Sequence, residues 1–281
     1  MEGEGILYIC PTPIGNLEDI TLRALRVLGE VDPIAAEDTR RTQQLLNHYR
    51  IKTPMTSYHA HNRRKKGEYL LKLLDQGKKI ALVTDAGTPG ISDPGYELIR
   101  DFIEAGGKVV SLPGPTAIMT ALVASGLPSD RFYFQGFLPK GAGKRREVLK
   151  GLEHQQGTII LYAPPHGLGG LLEDLRRVLG NRRGVIAREL TKKYEEYVRG
   201  TLDQLIEWVG EREIKGEFVI LLEGASGEAG QVQAPWQGMT IAEHLNWNME
   251  KGLSKKEAIA VTARERNIPK KQVYAESIVK K

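Results

Sequence analysis

Short apolar runs and segments of helical period alternate through the first half of the chain. Residues 6–10, 33–36, 79–84 and 108–112 read as buried strands, the third most clearly through Ile80-Ala81-Leu82-Val83. Between them, residues 21–29, 39–49, 62–75 and 96–105 read as helices. Leu70, Leu71, Leu73 and Leu74 give the third of these an apolar side, and Gly77 stands where a C-terminal cap belongs. Strand–helix alternation predicts an α/β fold on a mostly parallel sheet with helices on both faces. Such sheets take ligands at the carboxyl ends of their strands, so the loops there carry the chemistry.

A helix over residues 114–125, following a Pro-Gly-Pro turn, leads into a second half. Its predicted strands are residues 131–134, 158–162, 185–188, 195–198 and 218–222, with helices over 168–179 and 202–209. Residues 224–239, GASGEAGQVQAPWQGM, have no period and many small side chains, which predicts a linker. Helical pattern then returns. Ser254-Lys255-Lys256-Glu257 has capping-box spacing, and Asn267-Ile268-Pro269 ends that helix with Pro placed to start another. The expected organisation is an N-terminal α/β domain over 1–115, a second α/β domain over 116–223, the linker, and a small helix-turn-helix-like domain over 240–281.

Composition excludes several classes. The 281 residues are 27% charged and 41% hydrophobic, as in globular proteins, and no apolar run approaches the ~20 residues of a membrane span. The opening MEGEGILYIC is acidic where a secretory signal is basic, so a cytoplasmic protein is expected. A single cysteine, Cys10, leaves no disulfide framework and no cysteine-rich zinc site. Net charge is +5, unevenly spread: residues 241–281 hold nine Lys and Arg against five Asp and Glu, so the tail carries +4 of it.

Three loops after predicted strands are dense in Gly and Pro: residues 11–16 (PTPIGN), 85–95 (DAGTPGISDPG) and 113–117 (PGPTA). Gly lets backbone approach a ligand closely, and Pro holds that backbone in one shape, lowering the entropy lost on binding. Three such loops at strand ends predict a preformed small-molecule pocket. The pattern is not a Walker A loop, since Gly141-Ala142-Gly143-Lys144 is followed by Arg145 where Ser or Thr is needed. A Rossmann G-x-G-x-x-G is missing from the first βα turn, which argues against NAD and against the commonest methyltransferase fold.

The runs YICPTPIGNLEDITLRALRVL, AAEDTRRT, DAGTPGISDPGYELI, PGPTA, ASGLPSDRF, GFLP, ARELTKKYEE and GEFVILLEG closely resemble the tetrapyrrole methylase superfamily. Within it, the resemblance is to the bacterial enzymes that methylate a cytidine ribose 2′-hydroxyl in 16S ribosomal RNA, and it covers about residues 6–224. It implies two α/β domains, not the Rossmann-like methyltransferase fold, with S-adenosylmethionine held between them. It further implies a homodimer, and a target in the decoding region, reached within the small ribosomal subunit. The cofactor contacts it implies are Pro13, Gly15, Asp85, Gly87, Thr88, Pro89, Ile91, Ser92, Pro115, Thr116, Ala117, Tyr162 and Glu217. Three positions at two sites depart from the family: Ala60 and Ala163 stand where it carries glutamates, and Gly167 where it carries arginine.

Candidate chemistry can be set beside plainer roles. Asp38, just past a buried strand, is either an active-site carboxylate or the N-cap of the next helix, and one residue can be both. Glu37 is expected to pair with Arg40 or Arg41. Asp85 ends the most apolar strand, where it would order the Gly-rich loop through backbone amides. Lys192 would stabilise an alkoxide or meet phosphate. His59 and His61 alternate along a segment read as extended, which puts them on opposite sides and makes a metal site unexpected. Arg63, Arg64, Lys144, Arg145, Lys255 and Lys256 are the candidate RNA contacts, and Trp236 and Trp247 are expected to pack the tail. The competing readings are a tetrapyrrole methyltransferase and a catalytically silent RNA-binding protein.

Overall fold

The apolar runs of the first half form one five-stranded sheet in the computed structural model, which describes residues 5–225, 236, 238–266 and 268–276. Strands β1 (Ile6–Ile9), β2 (Ile34–Ala36), β3 (Met55–Ser57), β4 (Lys79–Val83) and β5 (Lys108–Ser111) lie in the order β3-β2-β4-β1-β5, every neighbour parallel. Helices α1 (Leu22–Glu30) and α2 (Thr39–His48) cover one face through Val27, Leu28, Leu45 and Leu46. Helices α3 (Arg63–Asp75) and α4 (Gly95–Glu104) cover the other through Leu70, Leu74, Leu98 and Phe102. Adjacent strands β1 and β4 therefore send their chains to opposite faces, and a crevice opens between the two loops that leave them.

Helix α5 (Ala117–Ser125) carries the chain from β5 to a second sheet. Its strands are β6 (Phe132–Phe137), β7 (Thr158–Ala163), β8 (Arg183–Arg188), β9 (Glu196–Thr201) and β10 (Phe218–Leu222), in the order β6-β7-β10-β8-β9. Parallel pairing does not extend here: only β6 and β7 run together, and β10 enters antiparallel between β7 and β8. Central placement explains the unbroken FVILL of β10, all five residues buried. One face is covered by α7 (Leu168–Leu179) and α8 (Leu202–Gly210), the other by Ile118, Ala121 and Leu122 of α5.

Two elements carry too little apolar signal to be read from sequence. Strand β3 is three half-buried residues at a sheet edge, and α6 (Ala142–Lys150) buries only Leu149. Missing α6 also misassigned Arg145. That side chain turns inward rather than to phosphate: its Nε donates to Asp174 Oδ2 at 2.7 Å and its Nη2 to the Gly170 carbonyl at 3.2 Å. Both partners are nearly enclosed, at 15% and 9% exposure.

Residues 226–281 form a separate unit. Helices α9 (Ile241–Glu250), α10 (Lys255–Glu265) and α11 (Lys270–Glu276) pack through Leu245, Ala258, Ala263 and Val273. Capping boxes open α9 at Thr240 and α10 at Ser254, the latter where the spacing placed it. Asn248 Nδ2 donates to Thr262 Oγ1 at 3.1 Å in the interior. Trp236, which falls within the expected linker, packs the tail as expected, stacked on the buried His244 ring at 4.7 Å. The rest of the expected linker, residues 226–235 and 237, lies outside the described residues.

Removing Asp174 leaves the Arg145 guanidinium enclosed without its counter-charge. Asp174→Ala is expected to lower unfolding stability by about 3 kcal/mol or more, read from denaturant melts. Asp174→Asn, which keeps an acceptor oxygen, should cost less.

Candidate functional site

The crevice of the first sheet faces the second, and a cavity of about 480 Å³ lies between them. This is a size typical of small-molecule sites, which span roughly 300–1,000 Å³. Its wall takes Ile14 from the loop after β1, Glu37 and Arg41 from the end of β2 and from α2, and residues 84–88 and 91–93 from the loop after β4. The second sheet supplies Phe137, Tyr162 and the following Ala163-Pro164-Pro165, Leu190, and the start of β10. Of the expected cofactor residues, Asp85, Gly87, Thr88, Ile91, Ser92, Thr116, Ala117, Tyr162 and Glu217 line this one space. Pro13, Gly15, Pro89 and Pro115 do not line it but belong to the loops that do.

The three Gly- and Pro-rich loops are tied to one another. Thr12 and Gly87 exchange backbone hydrogen bonds, Thr12 N–H to Gly87 O at 2.9 Å and Gly87 N–H to Thr12 O at 3.0 Å. Thr12 Oγ1 donates to Thr84 O at 3.0 Å, and Thr88 Oγ1 to Pro115 O at 3.1 Å. Gly87 holds φ at +82°, a backbone region that costs other residues about 1–2 kcal/mol. The loop-ordering role expected of Asp85 belongs to Asp93, whose carboxylate accepts from Gly90 N–H at 2.9 Å and Gly95 N–H at 2.8 Å. Gly15 is fixed by crowding: a Cβ there would stand 2.5 Å from Lys192 Cγ and 2.9 Å from Leu190 O.

The cavity is acidic on one side. Glu37 accepts from Thr84 Oγ1 at 2.6 Å and from Asp85 N–H at 3.3 Å, so it pairs with neither arginine expected for it. Asp85 Oδ1 accepts from Asp38 N–H at 3.0 Å, and Oδ2 lies 3.4 Å from Arg41. Burial first, then the Glu37 charge, raise the Asp85 carboxyl above its ordinary value; burial does the same to Asp93. Tyr162, packed edge-on to Phe134 at 5.0 Å, is pushed up to about 12 by burial. Ala163, where the resembled family has glutamate, presents only a methyl to the wall.

The two candidate catalytic residues stand outside that wall. Asp38 caps α2 through Arg40 N–H at 2.8 Å and grips the Arg40 side chain at 2.9 Å, contacts that pull its carboxyl down to about 2. Such a carboxylate is a weak proton acceptor. Lys192 Nζ sits between Glu217 Oε2 at 2.9 Å and Glu189 Oε1 at 3.0 Å. Its burial favours the neutral form, but these two hydrogen bonds outweigh that and raise its pKa, so it is an ammonium at neutral pH.

Among the RNA candidates, Arg63 is paired with Glu97 at 2.6 Å. Arg64 and Lys144 are exposed, as are Lys255 and Lys256 in the C-terminal unit. His59 and His61 lie in a turn before α3, not along a strand, with ring centroids 6.0 Å apart. The Asn62 side chain makes that turn, accepting from His59 N–H at 2.9 Å. Sequence reading passed over Phe137, Leu190 and Asp93 as site residues. Only Asp93 carried a signal, being an aspartate inside the Gly-rich loop.

Residues 6–206 match the family of tetrapyrrole (corrin/porphyrin) methylases. The chain is 48% identical over 271 residues to the ribosomal RNA small subunit methyltransferase I of Bacillus subtilis (strain 168), covering 96% of this chain and 93% of that protein. It is 46% identical over 220 residues to the protein of the same name from Thermotoga maritima, covering 78% of this chain and 99% of that one. Among solved structures, uroporphyrin-III C-methyltransferase from Thermus thermophilus, complexed with S-adenyl homocysteine, aligns with TM-score 0.56 at 19% identity. That alignment covers 78% of this chain and 97% of the other, and it shows a common fold.

Asp38→Asn keeps the capping oxygen and removes the charge, so turnover is expected to stay within about threefold of wild type, measured at saturating substrate. Gly15→Ala forces the loops after β1 and β8 apart. It should weaken binding of a ligand in the cavity by about tenfold or more, a loss in the overpacking range of about 1–3 kcal/mol, read by calorimetric titration.

Proposed function

The chain belongs to the tetrapyrrole (corrin/porphyrin) methylase family, and on that premise we propose that it transfers a methyl group from S-adenosylmethionine to a cytidine ribose 2′-hydroxyl in the decoding region of 16S ribosomal RNA. One observation carries the RNA reading over a tetrapyrrole substrate. Identity reaches 48% across 96% of the chain to a relative named for ribosomal RNA, against 19% to the uroporphyrin enzyme. The silent RNA-binding reading is less supported, because the full-length relative at 48% identity is named as a methyltransferase.

The cavity suits this methyl donor. Glu37 and Asp85 offer negative charge to a cation, while Ile14, Phe137, Leu190 and Val219 offer apolar surface to a nucleoside. When bound, S-adenosylmethionine supplies a methyl group on a positively charged sulfur. The protein's own part is chiefly positional: loops tied together by the Thr12–Gly87 and Thr88–Pro115 bonds hold their shape before any ligand arrives, which spares ordering entropy. Lys192 enters as a positioning residue that holds Glu217 at the wall, and the Asp38 amide does the same for Asp85.

Arg64, Lys144, Lys255 and Lys256 remain the proposed phosphate contacts, and a substrate in the small ribosomal subunit implies the cytoplasm. Among the described residues no helix is long and apolar enough to cross a membrane. Association as a homodimer belongs to the same proposal, supported by large apolar side chains left exposed on α5 and β6 away from the cavity, Val123 at 73% and Phe132 at 44%.

Radiolabelled methyl transfer tests the substrate: label should enter the 16S RNA of unmethylated small subunits and not uroporphyrinogen, and the reverse outcome would establish the tetrapyrrole reading. A pH series tests the pocket. A cation stabilises the ionised Asp85, so affinity should be full above the raised pKa of that carboxyl. It should fall by up to about tenfold per pH unit below it. Asp85→Asn is expected to flatten this dependence.

A further inference from the structure

Many of the charged arms of the α/β unit are already engaged: Arg145 with Asp174, Arg176 with Asp203, Lys192 with two glutamates. The C-terminal unit differs. Along α10 and α11 runs a groove of about 590 Å³ in which Lys255, Lys256, Lys270 and Lys271 stand around a floor of Ile259 and Ala260, with Tyr274 at the side. All four lysines are exposed, and among the described residues none has an ion-pair partner. Three acids of the unit are engaged elsewhere. Glu257 Oε2 accepts from Ser254 N–H at 3.0 Å, Glu243 Oε2 from Thr240 N–H at 2.7 Å, and Glu265 faces Asn248 and His244. Among the described residues, no carboxylate lines the groove.

Four like charges around one apolar floor repel one another, and among the described residues no ion pair relieves them. A polyanion does, and it releases its own counterions in the process. Tyr274, 55% exposed, stands beside them as an aromatic residue of the kind on which bases stack. We propose that this groove binds the phosphodiester backbone of a single-stranded RNA segment, gripping the substrate at a distance in sequence from the methyl-transfer cavity. The inference rests on the reading of the substrate as RNA and assigns it a second contact surface, in which Lys270, Lys271 and Tyr274 join the two lysines already considered.

The comparisons fit an accessory grip. The family match ends at residue 206, before this unit begins. The Thermotoga maritima relative spends 99% of its own length on 78% of this chain, so about a fifth of the chain has no counterpart there. A unit outside the shared catalytic fold should change how tightly RNA is held, not how fast bound substrate reacts.

The test uses the full chain with all four lysines changed to glutamine, which suits the first turn of a helix at least as well as lysine. Fluorescence anisotropy with a labelled 12-nucleotide oligouridylate, at salt from about 50 to 200 mM, reads affinity and its slope on log salt. The variant is expected to bind about tenfold or more weakly at the higher salt. Its slope should be shallower by about 3, at about 0.7 per phosphate contact on a single strand. S-adenosylmethionine affinity should not move, and in methyl transfer to small subunits KM should rise with kcat within about twofold. Should the fourfold change disturb folding, seen as lost helicity, K270Q/K271Q alone is expected to give about half the slope change.

Unchanged affinity and slope overturn the proposal. So does polyglutamate that competes as well as oligouridylate of equal charge, which would point to an acidic protein instead. Should wild-type protein methylate no ribosomal RNA, the enzymatic reading falls, while anisotropy still decides the groove.

Discussion

The loop after β1 lies against the loop after β8 at Gly15, so closely that a single added carbon would meet both a lysine side chain and a backbone oxygen. The cavity depends on that contact. Each sheet has its own core, one built on Val27, Leu28 and Leu46, the other on Leu161, Leu172 and Ile220. What joins them is α5, which follows the first sheet in sequence but packs beneath the second, together with Ile14 and Leu190 in the same apolar cluster. Neither sheet encloses a ligand alone. The space exists because two strand ends are held at a separation set by a glycine.

Charge is arranged with the same economy. The chain is net positive, yet the cavity gathers Glu37, Asp85, Asp93 and Glu217 against one arginine. Each of these carboxylates is held by a named donor: Thr84 for Glu37, the Asp38 amide for Asp85, the Gly90 and Gly95 amides for Asp93, Lys192 for Glu217. The acids are thus fixed in place before a cation arrives, and the energy of their mutual repulsion is available to it. Cations gather elsewhere, above all on the C-terminal helices. The two kinds of ligand the protein is proposed to hold, one positive and one negative, meet opposite fields on different parts of the chain.

Strands with continuous apolar runs were legible from sequence almost to the residue, because β4 and β10 are buried on both faces and tolerate no polar interruption. Edge and surface elements were not: β3 has no buried residue, and α6 shows one leucine among nine residues. The Gly- and Pro-rich loops announced the pocket, since few other needs put so many conformationally special residues at three strand ends. Individual roles within it were harder, because they depend on partners distant in sequence. Asp38 and Asp85 are 47 residues apart, and the hydrogen bond between the Asp38 amide and the Asp85 carboxylate has no local signature in either segment. Arg145 reads as a solvent-facing charge until Asp174, on another helix, is seen opposite it. The second half of the chain contributes Phe137 and Leu190 to the cavity without any local motif, since an apolar wall residue looks like any core residue.

The lone thiol of the chain, Cys10, closes β1 at the entrance to the first loop. It is fully enclosed, and burial pushes it up to about 12, far from the thiolate that alkylating reagents require. The wild-type protein is therefore nearly blank to maleimide chemistry. A cysteine introduced at an exposed position on α10 or α11 would be the one reactive handle on the molecule. A dye attached there would report occupancy of the lysine groove directly, against a background the fold itself keeps silent.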